Sequence, residues 1–128
     1  AVLNANYIHA RLKGAYKSAF DNRFMHECIF TAAPQAEKGT RALDIAKALL
    51  DYGYHAPTVY FPLTVPESIM IEPTETESKE TMDGFCDAML EIAARIEQED
   101  RPYQNAPETM VVGRLDEVLA AKSLNCSC

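Results

Sequence analysis

Apolar positions in the first part of the chain recur at the spacing of one face of a helix. An interval of four residues between such positions is typical of an amphipathic helix. The pattern predicts a helix over residues 1–20 whose apolar face must pack against another surface. It begins without a methionine or a capping residue, which indicates a piece of a longer protein or a processed chain. The repeating positions are Ile8, Leu12, Tyr16 and Phe20.

Short apolar runs and amphipathic stretches alternate along the middle of the chain. The runs predict strands over residues 25–32, 58–61 and 68–72. Between the first two strands a helix is expected, with Thr40 as its N-cap and Gly53 at its C-terminal cap. The second and third strands are joined by a loop too short for a parallel crossover, so they should be antiparallel neighbours.

The clearest helical pattern covers residues 82–96, where apolar side chains step by three or four opposite a polar stripe. Ser78 is the expected N-cap of this helix, and a capping box of Thr74 with Glu77 is the alternative. The residue before Pro102 is disfavoured in a helix, so the element should end there.

Together these elements predict an α+β fold, a small mixed or antiparallel sheet covered by helices. Three regions are expected: the helix over residues 1–20, an α+β domain over 21–102, and a tail over 103–128. The tail is polar except near residues 115–124, which predict one short helix. A chain of 128 residues is long enough for one compact domain with its own core.

Charge and hydropathy argue against two classes of partner. The chain has 12 Lys and Arg against 19 Asp and Glu, a net charge of −7, and its basic residues are scattered. Nucleic-acid binding needs clustered basic side chains. No window approaches the roughly 20 apolar residues of a membrane span, and residues 1–7 do not resemble a signal peptide. We therefore expect a cytoplasmic protein without nucleic-acid or membrane partners.

The four cysteines predict no metal site. Cys28 and Cys86 lie among apolar residues and are expected to be buried. Cys126 and Cys128 could bind a soft metal or oxidise, but a frayed tail with two unimportant thiols is the favoured interpretation. None of these spacings is that of a zinc finger.

Of the three histidines, His55 is the best candidate for ligand contact. No phosphate-binding glycine loop and no nucleophile elbow occurs in the sequence. His55 lies in a tight loop between a helix and a strand, where binding residues often concentrate. A solvated side chain is expected for His9. The pair His26–Glu27 is expected to hydrogen-bond structurally, with an acid–base role as the alternative.

The acidic stretch over residues 72–77 has a plain and a functional interpretation. Carboxylates near a helix N-terminus interact favourably with the helix dipole, and this alone would explain them. The functional interpretation is a strand-to-helix edge lining a pocket, with Glu72 or Glu75 accepting a cationic group. Composition and spacing by themselves favour the plain interpretation.

Three blocks of sequence resemble glycine decarboxylase, the pyridoxal-phosphate protein of the glycine cleavage system. They are VLNANYI at residues 2–8, DYGYHAPT at 51–58 and MIEPTETESK at 70–79. The similarity runs to about Glu99, and the ending resembles that of the second subunit of the split bacterial form. The Gly- and Arg-rich turn of the family is replaced at residues 21–25, so a different local loop is expected.

The resemblance implies the small C-terminal domain of the aspartate-aminotransferase-like (fold type I) enzymes, with residues 1–20 leading from the large cofactor domain. It also implies an enzyme that decarboxylates glycine with pyridoxal phosphate and passes the aminomethyl group to the lipoyl arm of the H-protein. Subunit 1, the H-protein and glycine are the implied partners. None of the six lysines follows a histidine, as the Schiff-base lysine of the family does. That lysine is therefore expected upstream of Ala1.

Accordingly, no catalytic residue is assigned here, and this chain alone is expected neither to bind the cofactor covalently nor to decarboxylate glycine. The alternative is an independent, non-catalytic α+β regulatory or protein-interaction domain. Such a module should bury the apolar face of the first helix, whereas a fragment would expose part of it and self-associate. The residues expected to contact substrate are His55, Glu72, Thr74, Glu75, Asn4 and Asn6.

Overall fold

The computed structural model describes residues 1–124, which form a four-stranded sheet with helices packed against it. The strands are β1 (Lys17–Ser18), β2 (Cys28–Thr31), β3 (Thr58–Val59) and β4 (Ser68–Ile71), in the spatial order β1-β2-β4-β3. The helices are α1 (Val2–Leu12), α2 (Ala33–Glu37), α3 (Ala42–Asp51), α4 (Lys79–Gln98) and α5 (Glu117–Lys122). Every strand pair is antiparallel. The predicted α+β class and the antiparallel pairing of β3 with β4 are confirmed.

Two central strands, β2 and β4, carry the core on both faces of the sheet. All their residues are buried, and side chains alternate between the two faces. Phe30 is paired with Ile69, and both belong to the large cluster formed with the helices. Ile29 is paired with Met70, and both belong to a smaller cluster with Val65. The strand predicted over residues 68–72 is therefore present as β4, and it is buried on both faces of the sheet.

Helix α1 is shorter than the predicted helix over residues 1–20. It ends at Leu12, whose carbonyl accepts hydrogen bonds from the N–H groups of both Ala15 and Tyr16. Gly14 lies in this turn and has a low helix propensity. The chain then forms β1, which pairs with the edge of β2. The helical prediction for residues 13–20 was wrong because the strand edge offers these backbone groups other partners.

The apolar face predicted for the first helix is buried except at its end. Ile8, Leu12 and Tyr16 are at most 2% exposed, whereas Phe20 is 42% exposed. The Tyr16 hydroxyl donates to the Met89 carbonyl at 2.9 Å and so ties the turn to α4. This burial is what a self-sufficient folding unit shows, and it makes α1 part of the core of this domain. A link from residues 1–20 to another domain stays a prediction.

Helix α3 begins one residue later than predicted. Thr40, the expected cap, is 1% exposed, and Arg41 is the N-cap instead. The Asp44 carboxylate accepts from the Arg41 N–H at 2.8 Å, and Glu67 accepts from the first helical N–H at 2.8 Å. Carboxylates from two segments thus accept hydrogen bonds from N–H groups at the start of this helix, which have no partner within the helix. Gly53 follows the helix with φ of +81°, which confirms its predicted place at the C-terminal end.

Helix α4 starts as predicted, because the Ser78 hydroxyl oxygen accepts the Thr81 N–H at 3.0 Å. The short tail helix is also found, as α5, with Asp116 as its N-cap. In the described part of the chain, no helix combines the length and apolar character that crossing a bilayer requires.

Cys28 and Cys86 are buried, as predicted. Burial raises the pKa of the Cys28 thiol to about 12 and that of the Cys86 thiol to about 11. Both are therefore protonated near neutral pH and serve as small core side chains. Cys126 and Cys128 lie outside the described residues.

His9 is packed between aromatic rings, so the prediction of a solvated side chain was wrong. Its ring centroid lies 4.7 Å from that of Phe24 and 5.5 Å from that of Phe30. Its Nε2 atom is 2.9 Å from the Ser18 hydroxyl. Burial, followed by the charge of nearby Lys13, lowers the pKa of His9 from its ordinary value of 6.5.

We expect the free energy of unfolding to fall as the pH drops below about 6.5, because of His9. A lowered folded-state pKa means that the unfolded chain binds the proton more tightly. The stabilisation is therefore complete above the unfolded pKa and is lost as the pH falls towards the folded one. Urea unfolding between pH 7.5 and 5.5 measures this slope, and His9→Gln should flatten it. An unchanged slope in the variant would contradict the assignment.

Candidate functional site

One pocket, of about 380 Å³, lies where α1, the loop after α3, the end of β4 and the start of α4 meet. Its floor is apolar and its rim carries carboxyl, hydroxyl and imidazole groups. This combination is typical of small-molecule sites, in which a few polar groups orient a ligand over an apolar surface. The floor includes Ile8, Met70, Met82 and Phe85. The rim includes His55, Glu72, Thr74 and Glu77.

The His55 loop is held in place by its neighbours. After Gly53 turns the chain, the Tyr54 ring packs edge-on against Phe85 with 5.5 Å between centroids. Gly84 permits this approach, because a side chain at that position would overlap the Tyr54 hydroxyl. His55 itself is exposed at the pocket rim. The structure thus places the predicted histidine in the pocket, on a loop fixed at its base.

The acidic edge follows β4 directly and forms the opposite part of the rim. Glu72 and Thr74 both line the pocket, and buried Pro73 lies between them. The Thr74 hydroxyl is 2.8 Å from that of Thr76. Glu75 is exposed but is not among the described residues that line the pocket. Of the two carboxylates expected to accept a cationic group, only Glu72 is placed there.

The two asparagines of the first block are engaged with backbone groups beside the pocket. Asn4 Nδ2 donates to the Thr74 carbonyl at 2.8 Å and joins α1 to the acidic edge. Asn6 Nδ2 donates to the Phe24 carbonyl at 2.7 Å, and its Oδ1 accepts the Phe24 N–H at 3.1 Å. These bonds position the pocket walls. Direct ligand contact by either amide stays a prediction.

A charged network beside the pocket joins α1 to α4, and the sequence patterns did not predict it. Arg11 reaches Asp83 and Asp87, each at 2.7 Å, and Tyr7 also donates to Asp83. Hydrogen bonds from Lys79 and then from Tyr7 hold the pKa of Asp83 below its usual value. The i,i+4 spacing of Lys79 and Asp83 is visible in the sequence, but the partners on α1 are not.

Glu72 also lies close to a second group of potential ligands. Its carboxylate and the side chains of His26 and Glu27 bring three possible metal-ligand atoms within 4.8 Å of one another. His26 Nε2 is 3.7 Å from Glu27 Oε2, which is longer than a hydrogen bond. The expected hydrogen-bonding pair is therefore absent, and the two side chains point towards a shared space.

Comparison with known proteins gives one family. A family model described as "Glycine dehydrogenase, C-terminal domain" matches residues 1–112. "Probable glycine dehydrogenase (decarboxylating) subunit 2" of Exiguobacterium sibiricum is 61% identical over 122 residues, which are 95% of this chain and 25% of that protein. Proteins of the same name from Bacillus thuringiensis and Bacillus cereus are 56% identical over the same shares. The chain thus spans about a quarter of the length of the curated relatives it matches.

Proposed function

This chain belongs to the family of the glycine dehydrogenase C-terminal domain, and we propose that it forms one wall of the active site of a pyridoxal-phosphate-dependent glycine decarboxylase. In this proposal it is the small domain of a fold type I enzyme and covers the reacting groups. The whole protein would be subunit 2 of the split enzyme and would act with subunit 1 in the bacterial cytoplasm. Its product, an aminomethyl group, would pass to the lipoyl arm of the H-protein.

One observation carries the proposal: three blocks that are far apart in the sequence meet at one pocket. Ile8 comes from residues 2–8, His55 from residues 51–58, and Glu72 from residues 70–79. A purely structural role for the blocks would not require all three to line the same open space. Their convergence favours an enzyme wall over the alternative of an independent regulatory or interaction domain.

The pocket residues do not fit the cofactor itself. No lysine or arginine lines the pocket in the described chain, and its rim carries the carboxylates of Glu72 and Glu77. Carboxylates repel a phosphate group, and a Schiff base needs a lysine amine. We therefore infer that residues outside this chain hold the cofactor.

The pocket residues instead suit a small amine. The carboxylate of Glu72 is positioned to accept hydrogen bonds from an ammonium group, such as that of glycine, and His55 supplies a second polar contact. The apolar floor, which includes Met82 and Phe85, offers a bound ligand no hydrogen-bonding partner and would limit the access of water from that side. Exclusion of water strengthens the electrostatic interaction between the carboxylate and the amine. This chain would therefore bind and orient the substrate without donating a catalytic base.

We expect His55→Ala in the complete two-subunit enzyme to lower glycine–bicarbonate exchange about fivefold. Loss of one typical hydrogen bond costs about 1 kcal/mol, and 1.36 kcal/mol corresponds to tenfold in rate. The exchange assay with the H-protein present measures the effect. Lys38→Ala, at an exposed position that pairs with Glu97 away from the pocket, is the control. Unchanged exchange and unchanged H-protein affinity in His55→Ala would remove this residue from the site.

A further inference from the structure

We propose that His26, Glu27 and Glu72 form a binding site for a divalent transition-metal ion of the zinc type. One nitrogen and two carboxylate oxygens from these residues lie within 4.8 Å of one another. Two of the residues precede β2 and the third follows β4. The site shares Glu72 with the pocket described above. Its evidence is separate from that of the proposed function, since it rests on the side chains that this chain brings together.

The strand register explains why the two carboxylates meet. The ladder between β2 and β4 pairs Cys28 with Ile71, so one further step along it places Glu27 opposite Glu72. Like charges directly opposite each other across strands are destabilising. Among the described residues, no ion pair gives either carboxylate a lysine or arginine partner; the ion-pair partner of Glu27 is His26, at 3.7 Å. A bound cation would offset this repulsion.

The donor set selects the class of ion. Carboxylate oxygens alone would suit magnesium or calcium, but imidazole nitrogen favours zinc, nickel or copper. Zinc binds imidazole nitrogen at about 2.0–2.1 Å and carboxylate oxygen at about 2.0–2.2 Å, so its ligand atoms lie somewhat closer together than those here. Side chains of His26 and Glu27 are 65% and 31% exposed, which leaves them room to rotate inwards. Three protein ligands would leave one position of a tetrahedral ion open.

Spacing in the sequence could not reveal this site. His26 and Glu27 are adjacent, but Glu72 is far along the chain and joins them only through the pairing of β2 with β4. The cysteines of the chain show no zinc-type spacing, and this group contains no cysteine.

Titration of the 128-residue chain with Co²⁺, followed by visible absorption, tests the proposal. The experiment uses a background with Cys126→Ser and Cys128→Ser, because the terminal thiols are competing soft ligands. We expect one ion to bind per chain and Zn²⁺ to displace it. His26→Asn, Glu27→Gln and Glu72→Gln should each weaken binding at least tenfold, since even outer partners of metal ligands are worth about 10- to 100-fold in affinity.

Glu80→Gln is the matched control, because this exposed carboxylate in the first turn of α4 lies outside the group. It should leave the Co²⁺ affinity unchanged. Circular dichroism verifies that each variant is folded, and any one ligand variant that retains its fold is sufficient for the comparison. Absence of binding in the serine background would overturn the proposal. So would an affinity that the folded ligand variants leave unaltered, which would mark adventitious surface binding.

Discussion

Glu72→Gln in the complete two-subunit enzyme should lower kcat/KM for glycine by roughly 10- to 150-fold. Hydrogen bonds to charged groups are worth about 1.5–3 kcal/mol, and each 1.36 kcal/mol is tenfold. The substitution keeps the shape of the side chain but removes its charge from the pocket rim, where Glu72 lies with Glu77. The remaining carboxylate limits the loss, because it also attracts a cationic substrate.

Glycine–bicarbonate exchange and steady-state kinetics together distinguish an effect of Glu72→Gln on substrate binding from an effect on the chemical step. If Glu72 only binds the amine, KM should rise with little change in kcat. Glu80→Gln serves as the control, since it removes an exposed carboxylate from the first turn of α4 without touching the pocket. His26→Asn separates the pocket from the proposed metal site, because only the latter contains His26. A change of less than twofold in Glu72→Gln would contradict the assignment of this carboxylate.

Helices and strands that depend on residues within their own segment could be predicted from the sequence. Helix α4 has a long apolar stripe and a serine cap, and its start at Ser78 follows from those two features. Gly53 ends α3 because a positive φ is needed there. The buried run around Met70 identified β4, since an apolar stretch of that length is typical of a central strand.

Helix and strand boundaries that depend on contacts with distant parts of the chain could not be predicted. Strand β1 has two residues and exists because β2 offers it an edge. The start of α3 depends on Glu67, which approaches from a distant loop. Helix α2 contains Pro34, a residue more typical of loops, but Pro34 lies in the first turn, where a missing N–H costs nothing.

The residues of the candidate site could likewise be predicted only in part. Resemblance to the family pointed to His55 and Glu72, and both line the pocket. It also pointed to Glu75, which lies in a turn between Thr74 and Glu77 and is not among the residues that line the pocket. That Ile8 forms part of the floor could be known only after α1 was packed against α4.

The two faces of the sheet should contribute unequally to the free energy of unfolding, and Phe30→Ala is the sharpest test of this difference. Phe30 is fully buried and packs against Tyr16 and His9 in the large core cluster. Phe→Ala changes in such cores cost about 3–5 kcal/mol, a large part of the 5–15 kcal/mol that stabilises a typical domain. The variant should therefore be close to unfolding at 37 °C.

The neighbouring residue gives the matched comparison. Ile29 points to the opposite face, where its buried neighbours are Val65 and Met70, both 9% exposed. Because this cluster is small and partly accessible to solvent, the cavity left by a shorter side chain can collapse more easily. Ile29→Ala should therefore lower the free energy of unfolding by about 2 kcal/mol, the lower end for such changes. Met25→Ala, at a side chain 70% exposed, should change stability by less than about 0.5 kcal/mol. Urea midpoints at constant m measure the change in stability of all three variants. Equal losses of unfolding free energy in Phe30→Ala and Ile29→Ala would contradict the prediction, because both faces would then contribute equally.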